Sequence, residues 1–185
     1  MMMRMLAAGG VEVLTDGVRA PDVANPRGYY ELERVKDLAT TRDLPWLAGA
    51  RGKAVKIVSS LLKYLPAHHN YRVVFMNRDL HEIVASQDKM LAQRGEGAGT
   101  PDEAALVALN EQHLKQVKAL LAHDTCFETL EVRYTDVLTA PLDQARRVRS
   151  FLRRRLDVEA MAAVADPSLY RSRGVRSCEP AFFTT

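Results

Sequence analysis

Tyr71–Met90 reads YRVVFMNRDLHEIVASQDKM, and its two halves follow different periods. Val73, Val74, Phe75 and Met76 form an unbroken apolar run, which suits a strand buried on both faces as in a parallel sheet. The run stops at Asn77-Arg78-Asp79, after which Leu80, Ile83, Val84, Gln87, Met90 and Leu91 recur at helical spacing. A buried strand that delivers an arginine at its tip and passes at once into a helix is half of a β-α-β unit. It sets the expectation for the whole chain.

Outward from this unit the same alternation repeats. Met1 to Ala8 reads as a helix stopped by Gly9-Gly10, and VEVLTD as a short strand. Gly17 to Tyr30 is an irregular excursion rich in Pro, Gly and Asn, and Glu31 to Leu38 a short helix. GKAVKIVSSLL is strand-like up to Val58, and CFETLEVRY is a further strand. A flexible GEGAGTPDE loop precedes a long helix with Leu106, Leu109, His113, Val117, Leu120 and Leu121 on one stripe. Pro141 opens a helix with Leu142, Ala145, Val148 and Leu152 inward, and Val158 to Val164 is one more. Strands alternating with helices predict an α/β domain: a mostly parallel sheet flanked by helices, with right-handed crossovers. The reading is one domain over 1–185, with 165–185 as a C-terminal tail.

The bulk numbers agree with that size and narrow the partners. A chain of 185 residues is long enough to bury roughly 70% of its unfolded surface. Twenty-six Lys and Arg against twenty-three Asp and Glu leave +3, so no global field calls for nucleic acid or a membrane surface, and any anion site is local. Cys126 and Cys178 form no CxxC pair, which indicates neither a zinc site nor a disulfide framework. No run approaches the ~20 apolar residues of a spanning helix. The expectation is a cytoplasmic protein without a membrane span.

In parallel sheets ligands bind outside the carboxyl ends of the strands, where loops enter helix N-termini. The Arg78 guanidinium, the first N–H groups of the Leu80 helix and the Ser86 hydroxyl form a set able to hold a phosphate. Asp79 with Glu82 three residues on has the pattern of a capping box, which explains that aspartate without a ligand.

The ordered combination VVFMNRDLHEIVASQDKM resembles the 3′-phosphate segment of the P-loop sulfotransferases, in which a strand-end Arg is followed eight positions later by a Ser. TLEVRYTDVLTAPLDQARRVRSFL is similar to that family's strand ending in Tyr-x-Asp before a Pro-led helix. The likeness runs roughly from Met1 to Leu152 and suits the bacterial sulfotransferase family proteins better than the cytosolic enzymes. It implies 3′-phosphoadenosine-5′-phosphosulfate as donor co-substrate, no metal, and transfer of a sulfuryl group to the hydroxyl or amine of a small-molecule or conjugate acceptor. It also implies 3′-phosphate binding by Arg78 and Ser86, adenine contact by Tyr134, and closure over the phosphate by Arg173-Gly174. Lys56 in GKAVKIVSSLLKYLP matches the lysine of the family's Lys-Thr-His strand and would stabilise developing charge. The histidine position holds Val58, so the usual general base is absent, and Glu31 or Glu33 would stand in for it. The family's Ser-Gly-Thr phosphosulfate loop is also absent, and MMMRMLAAGG looks like the helix that follows it. The resemblance therefore implies an N-terminally truncated chain, either an active enzyme or an inactive fragment.

Other features have plainer readings. Gly95, Gly97 and Gly99 sit between helices as a linker. His68-His69 has no accompanying metal-ligand pattern, and His113 reads as a core or boundary residue. Arg146, Arg147, Arg149 and Arg153 to Arg155 spread over the solvent side of their helix. Two alternatives stay open: a P-loop nucleotide kinase, which lacks a visible Walker lysine here, and a non-catalytic nucleotide-binding or interaction domain.

Overall fold

The computed structural model describes residues 1–20, 28–79 and 103–166. Element order is α1 (Met2–Ala8), β1 (Val13–Leu14), a 3-10 segment (Glu33–Ala39), α2 (Trp46–Gly49), β2 (Ala54–Val55), a second 3-10 segment (Ser59–Tyr64), and β3 (Tyr71–Asn77). Then come α3 (Glu103–His123), β4 (Phe127–Arg133), α4 (Tyr134–Thr139), α5 (Pro141–Leu152) and α6 (Val158–Ala163). The fold is mixed α/β.

All strand pairing among the described residues is parallel, but it falls into two sheets of two strands, β1-β2 and β3-β4. This corrects the expectation of one sheet: nothing described joins β2 to β3. The β3-β4 ladder runs in register from Tyr71↔Phe127 to Asn77↔Arg133, whereas β1-β2 is only Val13↔Ala54 and Leu14↔Val55. The strand expected to reach Val58 therefore stops at Val55, because β1 offers it only two partners. Val58 itself stays extended, 56% exposed, and introduces the 3-10 turn.

The strands separate two apolar cores. On one side α1, α5 and α6 bury Met5, Val132, Val137, Ala145, Val148 and Met161, with Val74, Met76 and Ala54 packed against them. On the other, the 3-10 segments and α3 bury Val35, Leu38, Leu62, Leu65, Val117 and Leu121 with Phe75, and Val55, Ile57 and Val73 join them. Alternate residues of β3 thus feed opposite cores, as the two-residue strand period requires. Burying one such aliphatic side chain contributes about 1.5–3 kcal/mol, so each layer needs its apolar set. Leu109 departs from the expected stripe: it is 64% exposed, while Leu114 joins the core instead.

Local signals explain the helix ends. Pro141 sits at the first position of α5, where its missing N–H costs nothing, and Arg153 closes that helix in the left-handed region at φ 54. Asp157 caps α6, its carboxylate accepting from the Ala160 N–H at 2.8 Å. Tyr134 was expected to end a strand and instead begins α4, after an extended Arg133.

Gly9 lets α1 close on α6. A Cβ there would lie 2.6 Å from Met161 Cγ and 2.8 Å from its Sδ, and Met161 is fully buried. Gly9 has φ −75, which alanine adopts without strain, so helix propensity alone would favour alanine by up to ~1 kcal/mol. Overpacking at this contact costs about 1–3 kcal/mol and wins. Gly9→Ala is expected to lower the thermal unfolding midpoint by several degrees; a midpoint at or above that of the parent would refute the packing argument.

Candidate functional site

The β3-β4 register carries the chain into the site. Because Asn77 pairs with Arg133, the next residues, Arg78 and Tyr134, leave adjacent strands at the same end. The Arg78 guanidinium lies over the Tyr134 ring, 5.2 Å from its centroid, and both side chains are half-buried. Two residues 56 positions apart in the chain are thus brought to one spot by a ladder of backbone hydrogen bonds. Both line a cleft of about 1420 Å³ that also receives Lys56, Arg4 and Met1.

Lys56 follows β2 and does not stand alone. Its Nζ donates to Glu31 Oε1 at 3.1 Å and to the Tyr29 carbonyl at 3.1 Å. Glu31 also meets Arg19 at 3.4 Å, and the Arg19 guanidinium stacks on Tyr29, 3.4 Å from the ring centroid. A turn with Gly28 at φ 82 and Tyr30 at φ 52 delivers Glu31 to this position. Tyr30 is a non-glycine residue in left-handed backbone, a conformation that costs roughly 1 kcal/mol and is held by the surrounding contacts. Those contacts include the Thr15 hydroxyl and Asp16 N–H, which donate to the Glu31 carbonyl at 2.9 and 3.2 Å. The expected solvated first helical turn is corrected here: the 3-10 segment begins at Glu33, and Glu31 precedes it in a half-buried ion-pair cluster. Glu33 is exposed and pairs with Lys36 at 2.6 Å.

The rim at this end is cationic. Burial, then Arg4, then Lys56 push the Met1 ammonium below its ordinary pKa, so positive groups crowd one another there. Against them stand the Glu31 carboxylate and the exposed Asp79. Chemically, the arrangement offers a guanidinium, an ammonium and an aromatic face in one cleft, a set that suits an anion attached to a flat ring.

The sequence reading missed one pair. Ser59 Oγ and His113 Nε2 lie 2.8 Å apart, half-buried, and both line the cleft. They are 54 residues apart and meet because the Ser59–Tyr64 segment packs on α3. No local pattern announces them; only the position of His113 on the apolar side of its helix hints at an inward ring. His113, read as a core or boundary residue, thus stands at the boundary, in polar contact at the cleft wall.

The His68 and His69 ring centroids lie 4.3 Å apart with the planes tilted by 50°, and burial followed by His68 and Arg51 lowers the His69 pKa. Among the described residues no group of three or more His, Cys, Asp or Glu could hold a metal ion, and no helix is long and apolar enough to cross a membrane. Ser86, Glu82, the loop as far as residue 102 and Arg173-Gly174 lie outside the described residues. No family model, curated protein or solved structure matches the chain.

Tyr71 lines the same cleft, and its hydroxyl donates to the Pro66 carbonyl at 2.9 Å. Burial, with a smaller contribution from the Cys126 thiol, pushes its pKa up from 10.0 to about 12. The fold prefers the neutral phenol, so this group's stabilising contribution is complete below pH 10 and is lost as pH rises from 10 to about 12. A tyrosinate absorbance titration is expected to contain one late step near pH 12 that Tyr71→Phe removes. Persistence of that step in the variant would reassign it to another tyrosine.

Proposed function

We propose that the chain is a sulfotransferase-like α/β domain that binds a 3′-phosphoadenosine nucleotide at the carboxyl ends of its strands. The observation that carries this reading is the Arg78–Tyr134 pair at 5.2 Å in the cleft. These are the residues expected to take the 3′-phosphate and the adenine, and adjacent strand ends put them within reach of one nucleotide. Arg78 is suited to a phosphate by its planar fork of donors, Tyr134 to a purine by its flat face. Lys56, in the same cleft, is the cation for charge developing on the phosphosulfate bridge. In relatives of that kind the donor is 3′-phosphoadenosine-5′-phosphosulfate, and the acceptor is a hydroxyl or amine.

A second reading, binding without transfer, rests on Lys56 and Val58. The Lys56 ammonium is compensated by Glu31, and an exposed valine occupies the place of a base. Turnover then depends on whether the donor draws Lys56 from Glu31, while binding through Arg78 and Tyr134 is common to both readings.

Titration calorimetry with adenosine 3′,5′-bisphosphate tests what the two readings share. Binding is expected in the parent chain. Arg78→Ala is expected to remove about 1.5–3 kcal/mol, weakening it at least ~10-fold. Tyr134→Leu is expected to remove about 1–3 kcal/mol of stacking. Equal affinity in parent and Arg78→Ala, or preference for ATP with magnesium, would overturn the assignment.

A further inference from the structure

The gap between the two sheets has the chemistry of a place for a strand. In an extended chain the N–H and C=O of one residue point to the same edge, and those of the next residue to the other. The Tyr71 N–H donates to the Cys126 carbonyl at 2.8 Å, so Tyr71, Val73 and Phe75 face β4 while Arg72, Val74 and Met76 face away. The Ala54 N–H donates to the Glu12 carbonyl at 2.8 Å, so Val55 and Ile57 turn their backbone away from β1. Among the described residues, the N–H and C=O groups of these five residues make no hydrogen bond. All five line the cleft.

The two edges also run the same way. Arg154 Nη1 donates to the Gly52 carbonyl just before β2, and Arg72 Nη1 donates to the Leu152 carbonyl at 2.8 Å from the start of β3. Both strands therefore begin beside the end of α5. At the opposite end the Met1 ammonium feels Lys56, and Met1 joins the same apolar core as Val74 and Met76. Side chains in the gap would alternate between the two apolar cores, with Met2, Leu6 and Val11 lining the cleft from one and Leu62, Leu65 and Leu114 from the other.

We propose that this cleft is a receptor slot for one extended, apolar peptide strand lying between β2 and β3, parallel to both. It would merge the two sheets into one of order β1-β2-strand-β3-β4. These edges, unpaired among the described residues, specify the occupant: a helix or a lipid chain has no backbone groups to offer both sides. Two apolar cores call for side chains that are apolar on both faces, rich in β-branched residues and without internal proline. Strand addition to a sheet edge is an established mode of peptide capture, and here two edges act together. The inference is independent of the nucleotide reading, since the slot lies along the strands and the Arg78–Tyr134 pair beyond their ends.

The slot can be loaded in cis. A strand of about six Val and Ile residues and a Gly-Ser linker of about five are fused ahead of Met1, which gives the strand a high effective concentration. A control fusion carries proline at two central strand positions. Amide hydrogen exchange at Val55, Ile57, Arg72, Val74 and Met76 is expected to slow at least ~10-fold in the Val/Ile fusion at dilute, monomeric concentration, and not in the proline control. Equal exchange in all three proteins overturns the proposal. So does protection in the unfused chain that rises with concentration alongside a dimer by gel filtration, since a second copy would then be the occupant.

Discussion

The seven-residue parallel ladder between β3 and β4 is the constraint on which the remaining structure depends. Its register fixes which residues leave the sheet together, and its pleat assigns alternate side chains to two cores. Residues of β3 cannot shift by one position without exchanging their faces, because Val74 and Met76 serve one core and Phe75 the other. The position of Arg78 over Tyr134 is a consequence of this register. It is not set by any direct attraction, for an isolated cation–ring pair contributes only about 0.5–1 kcal/mol at an accessible site.

The same ladder has polar support on its outer side. Glu131 on β4 accepts from Lys118 of α3 and from Asn77 of β3, both at 2.7 Å. The Lys118 bond chiefly, and the Asn77 bond with it, hold the Glu131 carboxyl below its ordinary pKa despite partial burial. One carboxylate thereby ties helix, strand and neighbouring strand near the end where the cleft residues emerge. On the β2 side Glu31 has the corresponding place, gathering Lys56 and Arg19 from separate segments. The cationic rim is thus built on carboxylates that neutralise part of it, and this tempers how strongly Lys56 acts on an incoming anion.

Much of the element pattern was legible because it rests on local chemistry. The helix after Met1, the Tyr71 strand, the Pro141 helix and the Val158 helix fall where periodicity, Gly9 and Pro141 place them. The misreadings have a common cause. The Lys53–Val58 stretch has strand propensity, yet a strand exists only as far as its partner extends, and β1 supplies two residues. Tyr134 has a strand-like neighbourhood but lies beyond the last paired residue, where the chain is free to turn into α4. Leu109 fits the helical stripe on paper but faces solvent, since the core ends at Leu114.

The candidate site divides the same way. By itself the sequence marked Arg78, because an apolar run that stops in a charged residue is a local feature, whereas Tyr134 and Lys56 stood out only through the family resemblance. Only the tertiary structure decided their company. It set Arg78 against Tyr134, Lys56 against Glu31, and Ser59 against His113, pairs separated by 25 to 56 residues. It also left two parallel strand edges facing one cleft. The physical reason is that side-chain period is written along the chain, whereas pairing, register and the partner of each charge arise between segments that the sequence does not place side by side.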